Sequence, residues 1–327
     1  MSGRDEPTIF FLCLAFLLII VFFSTEKSGR IPENCEMDEF EFFWHIESII
    51  FPETNGGVII FSPPFHVGRS TWYLRLDLKP ESDGHYFAIY LKRAEGDGYP
   101  RPIDVEFTLS FLTVDFKSVK LSKSNKFSFD RGSARGWSKF VRYQEVLSHS
   151  GNNFYEFDNL FIQCKMKMCK KIASTSSACF ARTLFGIDYG TFAWDIKHFS
   201  ALRPNEQKNT QITSPGGSVL STSIFLTNTS SYRMKILIIP AHRHITMSKC
   251  RISVLDAAGI ASELVEDTMF LDTNKMWDFP FSLTKEKLTE KKNLYLPKDV
   301  LTLKFECAMN LGIAYENTEL CNYRINS

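Results

Sequence analysis

The 327-residue sequence predicts an all-β chain built as two β-sandwich domains in tandem. Three observations predict this: a long-period internal echo, short period-two apolar runs separated by turn clusters, and enough apolar material for two cores. The echo opens with Phe42-x-Trp44-x-Ile46, which returns about 150 residues later as Phe192-x-Trp194-x-Ile196. Each is followed by an Ile-containing strand that ends in Ser-Pro, at Ile59-Ile60-Phe61-Ser62-Pro63 and at Gln211-Ile212-Thr213-Ser214-Pro215. At the far ends Leu160, Cys164 and Met166 match the spacing of Leu303, Cys307 and Met309. A repeat of roughly 120–130 residues is far longer than a solenoid unit and large enough to bury its own core.

Composition supports that count. The chain is 44% apolar and 14% aromatic, ample for two packed cores, and a formal net charge of +1 lacks the basic footprint of a nucleic-acid binder. No nucleic-acid partner is therefore expected. The basic run Lys165 to Lys171 reads as a solvated strand end.

Taken in order, the N-terminus comes first. Thr8 to Phe23 is an unbroken apolar run followed at once by the polar Ser24 to Arg30, which predicts a hydrophobic helix within residues 1–30, either a signal peptide or a membrane anchor. The implied localisation is membrane, through a single-pass N-terminal anchor, or secreted. The charges Arg4, Lys27 and Arg30 leave the side of the membrane open.

Beyond it, strands follow one another. Trp72 to Leu78 alternates in part, His85 to Leu91 is strongly β-prone, and Asp104 to Phe111 has a period of two. Turn clusters at Pro80-Glu81-Ser82-Asp83-Gly84 and at Glu95 to Pro100 separate them at the spacing of an antiparallel sandwich. Ser223 to Leu226, Tyr232 to Ile239 and Lys249 to Leu255 repeat the order in the second copy. The expected boundaries are a first domain at 36–169, a linker at 170–188 around Ser174-Thr175-Ser176-Ser177, a second domain at 189–310 and a tail at 311–327.

These residues carry a family resemblance. Phe42-x-Trp44-x-Ile46, Thr71-Trp72-Tyr73-Leu74-Arg75-Leu76, Tyr86-x-x-Ile89-Tyr90-Leu91, Phe107-x-x-Ser110-Phe111 and Gly136 to Val141 make the first copy similar to a MATH domain (meprin and TRAF homology), above all that of speckle-type POZ proteins. The second copy resembles it more weakly, through Phe192-x-Trp194-x-Ile196, Met276-Trp277-Asp278-Phe279 and Leu296-Pro297-x-Asp299-x-Leu301-Thr302-Leu303. The resemblance implies an eight-stranded antiparallel TRAF-like β-sandwich in each copy and no catalytic chemistry. It also implies partner proteins, held through short linear peptide segments in a shallow groove. With about 18 residues after the second copy, no POZ domain is expected.

Carried over position by position, the groove comprises Tyr90, Phe107, Phe127, Arg135, Gly136 and Trp137. Arg135 stands where the family usually has a tryptophan; it removes an apolar wall and adds a charge, which suits an acidic or phosphorylated peptide. The corresponding places in the second copy fall to Ile236, Cys250, Met269, Trp277 and Phe279. Sandwich interiors fill with inward aromatic rings, so Trp44, Trp72 and Trp194 read as core.

The eight cysteines show no metal spacing, and no cofactor is expected. Cys164 and Cys307, at equivalent strand positions, read as buried free thiols, while Cys35, Cys169, Cys179, Cys250 and Cys321 are available for bridges. Asn228-Thr229-Ser230 is a glycosylation sequon in a predicted turn. His242-Arg243-His244 lacks an orienting carboxylate and reads as an exposed loop, and no nucleophile elbow or phosphate loop occurs, so no catalytic residues are expected. Two functional readings follow: a peptide-capturing interaction module, or a structural protein whose sandwiches self-associate.

Overall fold

The computed structural model describes residues 36–50, 58–81, 84–113, 115–123, 126–147, 158–169, 178–227, 232–240, 247–270 and 276–321. The expected hydrophobic helix within 1–30, the sequon at Asn228 and the His242 to His244 loop lie outside the described residues.

The first half supplies β1 (Met37–Ile49), β2 (Val58–Phe61), β3 (Phe65–Val67), β4 (Ser70–Glu81), β5 (Gly84–Arg93), β6 (Ile103–Leu112), β7 (Ser118–Lys123), β8 (Phe127–Phe129), β9 (Ala134–Arg142), α1 (Tyr143–Leu147) and β10 (Asp158–Cys169). Period-two patterning explains β1. Phe40, Phe42, Trp44 and Ile46 point into the core while Phe43, His45 and Glu47 alternate outward, as a strand with one buried face requires. One sheet runs β2-β4-β5-β9, with the short β3 also on β4. The facing sheet carries β1-β10-β6-β7, with β8 also on β6. The three-residue β3 and β8 are additions to the eight strands expected. Trp44 (1% exposed) and Trp72 (0%) are buried in the core between the sheets.

The second half supplies β11 (Ala178–Lys197), β12 (Gln207–Thr213), β13 (Val219–Leu226), β14 (Arg233–Pro240), β15 (Met247–Leu255), β16 (Ala261–Phe270), β17 (Trp277–Thr284), α2 (Lys285–Glu290), α3 (Lys292–Tyr295) and β18 (Val300–Cys321). Its orders, β12-β13-β14-β17 and β16-β15-β18-β11, parallel those of the first half, strand for strand. Pro280, which cannot donate to a ladder, sits in β17 at the end of its sheet, where such a residue is tolerated. Ile236, Ile252, Trp277, Phe279 and Phe305 fill this second core, and Trp194 is half-buried against it.

The two halves share one sheet. Residues 178–184 of β11 lie parallel to β1, placing Cys179 beside Phe42, Ala181 beside Trp44 and Thr183 beside Ile46, while the other edge of β11 pairs antiparallel with β18 along its whole length. Trp44 Nε1 donates to Thr183 Oγ1 at 3.0 Å, and Cys179, Ala181 and Phe185 belong to the first core. The expected linker at 170–188 is thereby corrected: residues 178–188 are strand. The expected tail is corrected in the same way, because β18 runs on to Cys321.

Two further expectations change. Cys307 is not a free thiol but is bonded to Cys250, its direct partner across β15 and β18, whereas the position opposite Cys164 is Leu109 and Cys164 stays a buried thiol whose pKa burial pushes up. Cys169 is also disulfide-bonded. The localisation through a single-pass anchor is corrected too: α1, α2 and α3 are four to six residues long, and no helix among the described residues is long and apolar enough to cross a membrane. Residues 8–23, on which that expectation rested, lie outside the described residues.

Candidate functional site

β9 closes the β2-β4-β5-β9 sheet, so one of its edges pairs with β5 and the other pairs with no strand among the described residues. Its register on β5 is irregular. Val141 lies opposite Phe87 and Trp137 opposite Ile89, so two steps along β5 answer to four along β9. The extra residues at 138–140 break the alternation, a bulge of the kind that re-aims side chains at sheet edges. As a result Trp137 and Phe140, three residues apart, both turn to the core side, with ring centroids 5.7 Å apart.

Trp137 also stands edge-on to Phe107 at 5.7 Å, and Phe127 lies 6.3 Å from Phe107 on the same side. Phe107 is only 2% exposed, whereas Phe127 is 39% exposed and Trp137 is partly buried. Phe107 is therefore the floor and presents almost no surface of its own. Phe127 and Trp137 are the accessible rings above it. Sequence reasoning missed Phe129 and Phe140, which buttress this cluster from β8 and β9 through Phe107 and Trp137 respectively. Phe140 lies in the bulge of β9, which hides its inward phase from a period-two reading.

Tyr90 takes a different place. It lies opposite Gly136 across the β5–β9 ladder, on the far face of the sheet from Ile89 and Trp137, with the Arg75 guanidinium 5.6 Å from its ring centre. The ring carries solvent exposure there but does not join the Phe107 cluster. The expected groove of Tyr90 together with Phe107, Phe127 and Trp137 is corrected by the alternation of strand side chains, which sets Tyr90 on the other face. Gly136 has a structural reason as well: a Cβ there would overlap the Ile89 carbonyl oxygen and come within 2.6 Å of Tyr90 Cα. Its first requirement is the close approach of β9 to β5. Arg135 is exposed, and no carboxylate pairs with it among the described residues.

One buried ion pair fixes the loop beside this cluster. Arg93 and Asp97 have fully buried side chains, with Nε to Oδ2 at 2.8 Å and Nη2 to Oδ1 at 3.0 Å. The remaining guanidinium donors reach the carbonyls of Arg101 and Phe129, each at 2.7 Å, and that of Tyr99. The side chain of Arg93 thus ties β5, the 94–101 loop and β8 together, and β8 carries Phe127.

The second-copy groove does not form as expected. Ile236 (0% exposed), Trp277 (1%) and Phe279 (0%) are sealed in the second core, and Cys250 is consumed by its disulfide. These residues follow the inward phase of β14, β15 and β17, so they offer a peptide no surface. Met269 lies in β16, and its side chain is outside the described residues. No group of three His, Cys, Asp or Glu side chains among the described residues is placed to hold a metal ion.

Comparison with known proteins places a family on part of this fold. No curated protein matches the chain. One solved structure, titled as a study of carbohydrate-binding modules from the β-sandwich superfamily, aligns at 10% identity over 82% of this chain and 96% of that one, with a TM-score of 0.13. The family described as the MATH domain matches residues 41–166, the stretch from within β1 to within β10 that holds Phe107, Phe127 and Trp137. A MATH domain is found at residues 41–166, and it supports a protein-interaction module in general terms for the first half of this chain.

Proposed function

We propose that the first sandwich captures short extended segments of partner proteins along the outer edge of β9, opposite the edge that pairs with β5. The observation that carries this reading is the placement of two accessible rings, Phe127 and Trp137, over the buried Phe107 beside a strand edge that pairs with no strand among the described residues. A strand added there gains register from main-chain hydrogen bonds, and its alternate side chains fall on the ring cluster and on the Tyr90 face. Burial of one apolar side chain contributes about 1.5–3 kcal/mol, so affinity at a single site is modest.

Phe127→Ala and Trp137→Ala test it. Each should weaken peptide capture at least about tenfold, because accessible aromatic anchors dominate such interfaces. The partly buried Trp137 packs on Phe107 and Phe140, so its removal also costs about 2 kcal/mol of stability, below the roughly 3–5 kcal/mol of a core tryptophan. Phe127→Ala should cost less still. Fluorescence anisotropy with labelled peptides, read beside urea unfolding, separates the effects. If Phe127→Ala binds as the parent does, the ring cluster is not the site.

A further inference from the structure

The charge of β9 names the kind of segment this edge takes. Between Ala134 and Arg142 the strand carries Arg135, Lys139 and Arg142 and no acidic residue. Lys139 and Arg142 lie over the Tyr86 ring, with the charged groups 5.2 and 5.8 Å from its centre. Arg135 is exposed and unpaired among the described residues, while Asp97 is engaged by Arg93 and Asp104 by Lys126 at 3.3 Å.

Register places Arg135 with respect to the rings. Arg135 and Trp137 lie opposite Leu91 and Ile89, two residues apart on one face of β5, so both belong to the same face of β9. Residues two apart on a strand are about 6.6–6.8 Å from each other, and cross-strand neighbours share a face with Cβ atoms about 4.5–5.5 Å apart. A segment paired with β9 therefore sets one side chain against Trp137 and Phe127 and the side chain two residues away against Arg135.

Resting on the peptide-capture reading above, we propose that the captured segment carries an apolar anchor and, at a spacing of two residues, an anionic side chain that pairs with Arg135. The guanidinium presents a planar fork suited to bidentate contact with a carboxylate or a phosphate, and both are anions of matching geometry. The residue between them faces the side of Tyr90 and Arg75. A lysine at the anionic position meets an unpaired guanidinium and is rejected.

The experiment uses the full chain and synthetic fluorescent 12-residue peptides with a fixed leucine anchor and glutamate, phosphoserine, alanine or lysine two residues from it. The glutamate or phosphoserine peptide should bind about tenfold more tightly than the alanine peptide, a margin that shrinks at high salt, with the lysine peptide weakest. Comparing glutamate with phosphoserine tells which anion the site favours. Arg135→Glu, an exposed change whose folding is checked by thermal unfolding, should invert the order. If the leucine peptides bind through Trp137 but show no charge order, or Arg135→Glu leaves the order unchanged, the anion assignment is overturned while peptide capture stands. If no peptide binds, both fall.

Discussion

Replacing Asp97 with alanine should destabilise the first sandwich by about 3–5 kcal/mol, the cost of leaving a buried guanidinium without its counter-charge. Both side chains of the Arg93–Asp97 pair are 0% exposed, so water cannot take over the role of the lost carboxylate without opening the loop. The loop is held by this side chain from both ends, since Asp97 Oδ1 also accepts from the Tyr99 backbone N–H at 2.6 Å. Because Arg93 reaches the Phe129 carbonyl in β8, the damage extends to Phe127, and peptide capture should weaken along with stability. Urea unfolding followed by tryptophan fluorescence reads the first effect. A loss under about 1 kcal/mol would mean the pair is structurally idle.

The same pair gives a pH dependence of defined sign. Burial pushes the Asp97 carboxyl up, but the hydrogen bonds from Arg93 and from the Tyr99 amide, with the guanidinium charge, outweigh it and hold the carboxyl below its ordinary range. A folded-state value lower than the unfolded one, about 3.9 for aspartate, contributes stability above that pH and loses it as pH falls through the folded-state value. The parent protein should therefore lose stability below about pH 4, and Asp97→Asn should show a shallower acid slope.

The second large effect concerns where the first core ends. A fragment of residues 36–169 should be less stable than one of residues 36–190 by about 4 kcal/mol. The shorter piece lacks Cys179, Ala181 and Phe185 from the core, and burial of the Phe185 ring alone is worth roughly 1.5–3 kcal/mol. It also removes Thr183, the acceptor for the buried Trp44 Nε1, and an unmade hydrogen bond at a buried donor costs about 1–3 kcal/mol. Loss of β11 further turns β1 into a bare edge beside Phe43 and Trp44. Equal unfolding midpoints for the two fragments would show that the shared sheet adds nothing to the first half.

That boundary shows where sequence reading stops. The β class, the alternating runs and the burial of Trp44 and Trp72 were legible because each is a local, period-two signal. The pairing of β11 with β1 was not, since its inward positions are Cys179, Ala181 and Thr183, small side chains that give no strong apolar alternation and read as linker. Arg93 and Asp97 escaped notice because charges four residues apart around a turn resemble a solvated surface. At the site, Phe107, Phe127 and Trp137 were legible as a set, but the bulge at 138–140 and the opposite facing of Tyr90 depend on strand pairing that no single segment encodes. Ile236, Trp277 and Phe279 fell on the inward phase of their own strands, and that local signal outranks their correspondence with the first copy.

The central claim is that a partner segment adds to β9 beside Phe127 and Trp137. Amide hydrogen exchange of the full chain, with and without a saturating leucine–glutamate peptide, tests it most directly, since a strand added at an edge protects the amides that it covers. Exchange should slow chiefly in residues 134–142 and 127–129, with β14 and β17 unchanged. Protection confined to the second half, or absent from 134–142 while the peptide is bound, would contradict it.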